Sequence, residues 1–193
     1  SGTYQSACVA ARNTPDTKIT VIDGKSMSVG MGLCIEEVAN IMKQNNLNHD
    51  QVVTKIEKII DNVQVFTALT DLSYSVKGGR VPKIFKTISN ILNFKPILSI
   101  AKDGKMGPAG AYFGKKNVPQ KLFKMVNKKI NSKCTYNVLI GHAQSEDDGK
   151  KTKLLFESKP DIFKKVRLLK IGGALGVHTG PGAISAAIQK IDD

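Results

Sequence analysis

Gly176 to Ile191 reads GVHTGPGAISAAIQKI, and the reading of this stretch decides both the end of the fold and the nature of its site. A strand, VRLLKIG, feeds it. The glycines relax the backbone so that amides can point at a ligand, and Pro181 is suited to open a helix. The run GAISAAIQKI then predicts that helix, whose unpaired first N–H groups and partial positive charge would cradle an anion. Thr179 adds a hydroxyl. The competing reading is a tight turn carrying a half-buried histidine. Catalysis by His178 would need a nucleophile or a partner acid, and no residue pattern supplies one.

Upstream, KITVID (Lys18 to Asp23) predicts a strand, GKSMSVGMG a loop, and Met31, Leu33, Cys34, Ile35, Val38, Ile41 and Met42, at helical spacing, a helix. This is the grammar of a parallel sheet. A second helix starts at Asn48, with Gln51 at the reciprocal position of a capping box, and SGTYQSACVAA reads as a helix start capped by Ser or Thr. Residues 1–62 thus offer helices but a single strand, too little sheet to bury them, and a preceding segment is expected. Beyond residue 62, VQVFTAL alternates as a strand and Pro82 opens an amphipathic helix through Ile84, Phe85, Ile88, Ile91 and Leu92. A hairpin turning at Asp103-Gly104 follows, then a helix from Pro119, the strand TYNVLIGHA and the helix KKTKLLFESK. The prediction is an α/β protein: the end of a parallel-sheet domain over 1–62, then a mixed-sheet α/β domain over 63–193.

The 193 residues are 41% hydrophobic and 23% charged, ordinary for a globular chain. No apolar run approaches the roughly 18 to 20 residues of a membrane span, and the first residues have no signal-peptide pattern. Cys8, Cys34 and Cys134 are odd in number and widely spaced, which predicts free thiols in a cytoplasmic protein. The net charge of +13 is localised: Lys77 to Lys133 holds fourteen Lys or Arg against the single acid Asp103, and charges elsewhere cancel. Such a segment favours a negative partner, whether an acidic protein, an anionic membrane surface or a nucleic acid. Aromatics for stacking bases are sparse, so nucleic acid ranks lowest. GAYFGK is one residue short of a phosphate loop, GMG lacks the third dinucleotide-binding glycine, and His49, His142 and His178 have no metal-ligand spacing.

Four stretches together resemble the DegV family of bacterial fatty-acid-binding proteins: SGTYQSA (Ser1 to Ala7), VIDGKSMSVGMG (Val21 to Gly32), KGGRVPK with LNFKPIL (Lys77 to Lys83, Leu92 to Leu98), and GALGVHTGPGAI (Gly173 to Ile184). The resemblance implies two α/β domains with a long-chain fatty acid between them, presented to a separate fatty acid kinase. It implies a carrier and not an enzyme, with no cofactor and no metal. Ser1, His178 and Thr179 are then expected at the carboxylate, and Arg80 at the kinase or the acyl phosphate. Gly24 stands where the family has serine, and the region that precedes the SGT motif in the family is missing, so half of the head-group site is expected elsewhere. The alternatives are a basic ligand-sensing or nucleic-acid-associated protein, and an acyl-transfer enzyme using His178.

Overall fold

The residues after Gly182 form a strand, not the expected helix. A computed structural model of the chain describes residues 1–44, 46–81, 94–114 and 116–191. Ile184–Ile191 is the last strand of one six-stranded sheet, which also contains Val63–Ala68, Phe94–Ile100, Met106–Phe113, Thr135–His142 and Phe163–Lys170. Numbered β1 to β6 in chain order, these lie in the order β3-β2-β1-β6-β4-β5. Only β4 and β5 are parallel neighbours, and the other pairs are antiparallel. The α/β class with a mixed sheet is therefore the observed one.

The misreading of β6 has a plain cause. Ile184, Ala187, Ile188 and Ile191 happen to sit at helical spacing, and a strand buried on both faces shows no alternation to contradict it. Inserted between β1 and β4, β6 is buried from Ile184 through Gln189. Ile184, Ala186 and Ile188 face a cluster that includes Phe66, Val138 and Phe163. Val118, Leu122 and Val126 of helix α5 (Val118–Lys129) and Phe156 of α6 (Glu146–Glu157) close that layer. On the opposite face, Ala187, Val65 and Leu139 receive Val29 and Leu33 of α2 (Ser28–Gln44). There the hydroxyls of Thr67 and Ser185 meet at 2.9 Å, so two buried polar groups satisfy each other.

The expected strand over Lys18 to Asp23 also fails. It pairs with no strand among the described residues, and side chains hold it against α3 (His49–Asp61): Lys18 bonds both carboxylate oxygens of Asp50, at 2.8 and 2.9 Å, and Thr20 Oγ1 meets His49 Nε2 at 2.7 Å. β-branched composition makes a segment fit for a sheet, but a ladder needs a neighbour to take its N–H and C=O groups. Residues 1–62 hold three helices and, among those described, no strand. The first, α1 (Gly2–Arg12), has no buried residue.

Locally encoded features appear as expected. Asn48 and Gln51 make the reciprocal capping bonds, each 3.0 Å. The β2–β3 hairpin turns at Gly104, whose φ of +79° requires glycine. The helix expected from Pro82 lies outside the described residues. Cys34 is buried on α2, and burial pushes its thiol up to about 11. With native protein at pH 8, iodoacetamide is expected to spare Cys34 while reacting at the half-buried Cys8 and Cys134. Peptide mass spectrometry checks this, and raising the pH toward 11 should bring Cys34 into reaction. Equal labelling of all three at pH 8 would contradict the burial.

Candidate functional site

The short helix α7 (Gly173–Thr179) places GVHTGPG at the end of the sheet, with His178 in its last turn. This reverses the expected electrostatics. The motif leaves a helix carboxyl end, where the backbone dipole is negative, instead of entering an amino end. The glycine amides are also spoken for: Gly180 N–H donates to the Gly176 carbonyl at 2.8 Å and Gly182 N–H to the Ala143 carbonyl at 2.7 Å. The glycine amides of the motif therefore form no anion cradle.

What shapes the loop is α4 (Leu72–Lys77), a single short helix whose two ends are defined locally. Asp71 caps it, accepting from Ser73 N–H at 2.8 Å. Gly79, at φ +67°, ends it: its N–H reaches the Val76 carbonyl at 3.1 Å and the Arg80 N–H reaches the Ser75 carbonyl at 2.8 Å, a Schellman closure. Leu72 of α4 and Leu175 of α7 join Leu69, Ala143, Ile171 and Ala183 in an apolar cluster at the strand ends.

Four contacts then run from this segment to the motif. Thr70 Oγ1 donates to the Pro181 carbonyl at 2.8 Å, and Ser75 Oγ donates to the His178 carbonyl at 2.6 Å. The Tyr74 ring lies against Gly180, where an added Cβ would meet it at 2.5 Å. The His178 imidazole lies against Gly78, where an added Cβ would fall 2.1 Å from Nδ1. No feature of the motifs themselves pointed to Thr70, Tyr74 or Ser75, because their partners lie more than a hundred positions away in sequence.

Of the four residues singled out by resemblance, His178 and Arg80 come together around one glycine. Gly78 touches the imidazole, and its carbonyl accepts from Nη1 of the exposed Arg80 guanidinium at 3.1 Å. Thr179 is adjacent, but its hydroxyl donates to the Leu175 carbonyl at 3.3 Å. Ser1 caps α1, accepting from Tyr4 N–H at 3.5 Å, and no hydrogen bond among the described residues joins it to the other three. Among the described residues there is no group of three or more His, Cys, Asp or Glu that could hold a metal, and no helix long and apolar enough to cross a membrane.

The family model for DegV, a family of uncharacterised proteins, matches residues 1–190. The chain belongs to the DegV family. A DegV domain-containing protein of Clostridium acetobutylicum is 32% identical over 191 residues, 98% of this chain and 67% of that one. The crystal structure of a fatty acid binding DegV family protein from Streptococcus agalactiae superposes with a TM-score of 0.81 at 25% identity, over 100% of this DegV chain and 67% of its own. The Streptococcus pneumoniae fatty acid kinase (Fak) B3 protein, loaded with linoleic acid, shares the fold at a TM-score of 0.84 and 22% identity, over 100% of this chain and 68% of its own. This DegV chain spans about two thirds of the length of the relatives it matches.

Proposed function

We propose that this protein is a fatty-acid carrier that holds a long-chain acid by its carboxylate and presents it to a separate fatty acid kinase. The observation that carries the reading is the meeting of the KGGR and GVHTGPG motifs on Gly78, whose Cα side packs against the His178 imidazole and whose carbonyl accepts from the exposed Arg80 guanidinium. His178 and Thr179, with Ser1 from α1, are the proposed carboxylate ligands, and Arg80 is the proposed contact to the kinase or to the acyl phosphate. Two solved relatives, one a fatty acid binding protein and one loaded with linoleic acid, support the ligand class. The division into domains at residues 62 and 63 belongs to the same proposal: among the described residues 1–62 is helical and the sheet strands lie in 63–191, with Val29 and Leu33 of α2 packed on the sheet. So do a cytoplasmic location and transient contact of the basic segment with an anionic membrane surface.

Physical chemistry favours a carrier of this kind having few polar ligands. Burying about fifteen methylenes at about 0.8 kcal/mol each offers at most about 12 kcal/mol before association costs. The tail can supply affinity while the head-group contacts orient the carboxylate. Chemistry at the carboxylate is then the partner's task, and His178 serves as a hydrogen-bonding group. Denaturing extraction of the full-length protein, purified from cells, followed by mass spectrometry is expected to release one long-chain fatty acid per chain. Protein that carries none, and that binds none when palmitic acid is added, would refute the carrier.

A further inference from the structure

We infer that Ser75 is a positioning residue that sets which nitrogen of His178 is offered to the ligand, an inference that rests on the carrier reading for its ligand but not for its geometry. Ser75 is 4% exposed and lies on the inner side of α4. Its hydroxyl makes the 2.6 Å bond to the His178 carbonyl, and no other hydrogen bond from this helix reaches the His178 main chain among the described residues. With the main chain pinned there, the imidazole is pressed edge-on to Gly78, and Nδ1 is buried without a hydrogen-bond partner among the described residues. In the neutral ring a hydrogen on Nδ1 would be a buried donor with no acceptor, so the hydrogen belongs on Nε2. A carboxylate is an acceptor only, and the Nε2–H tautomer is the one that serves it. The carbonyl of the same Ser75 takes the Arg80 N–H at 2.8 Å, so one residue fixes both the histidine and the start of the Arg80 segment.

Two measurements on the full-length protein test this: 15N chemical shifts of the His178 ring, and palmitic acid binding by titration. Wild type is expected to show the Nε2–H pattern. Ser75→Ala should move the ring signals toward a mixture of tautomers and weaken palmitate about tenfold, the size of one lost buried hydrogen bond. Ser75→Thr, which keeps the hydroxyl, should restore both. An Nδ1–H pattern in wild type overturns the inference whatever the variants do. If wild type binds palmitate and Ser75→Ala leaves affinity and ring signals unchanged, the inference fails and the carrier stands. If wild type binds no palmitate, the carrier fails, and the ring signals alone decide: a shift in Ser75→Ala still supports the positioning role, and none refutes it.

Discussion

Gly78→Ala is expected to weaken fatty-acid binding by about 10- to 150-fold, the range for losing a hydrogen bond to a charged group, while leaving the fold intact. The added Cβ would stand 2.1 Å from His178 Nδ1 and 2.9 Å from Cε1, so the imidazole must swing away from the position in which it faces the proposed carboxylate. Gly78 itself has φ −76°, a value any residue adopts, so the substitution brings no backbone strain. Its neighbour provides the contrast. Gly79 has open space around its Cα but φ +67°, so Gly79→Ala should cost about 1–2 kcal/mol of stability without touching the histidine. Palmitate titration and thermal melting of the two variants separate the effects. Wild-type affinity in Gly78→Ala would mean that His178 plays no part at the head group.

For stability, the largest loss is expected from Phe156→Ala, about 3–5 kcal/mol. Phe156 is fully buried on α6, with its ring edge-on to Phe123 at 5.0 Å and to Phe163 at 4.8 Å. It ties two helices to the β4–β5 side of the sheet, where a cavity of that size cannot be refilled by neighbours already packed against one another. Since domains carry about 5–15 kcal/mol in total, the variant should unfold at much lower urea. Leu154→Ala, two positions away on the same helix but 66% exposed, should change stability by about 0.5 kcal/mol or less. Equal costs at the two positions would contradict the packing of α6.

Several elements were legible before any tertiary information because their determinants are local. The capping box at Asn48 and Gln51, the helix opened near Pro119 and the turn at Gly104 each depend on groups within a few residues of one another. The family motifs were legible in the same way, and they pointed to the region where His178 and Arg80 both contact Gly78. KITVID and GAISAAIQKI were misread in opposite directions for one reason: strand formation depends on what lies alongside. The first had β-branched residues and, among the described residues, no neighbouring strand, whereas the second had helical spacing and two.

The sequence by itself determined that this is an α/β chain of the DegV family with a concentrated positive charge and a histidine-bearing glycine motif. Those properties reside in residue type and short-range order. Only the tertiary structure decided that the motif leaves a helix instead of entering one, and that its glycine amides are already used. It also decided that Thr70, Tyr74, Ser75 and Gly78 hold the motif in place. The contacts made by Thr70, Tyr74, Ser75 and Gly78 join segments about a hundred residues apart, and the Gly182 N–H reaches back to Ala143, so no local window contains both partners.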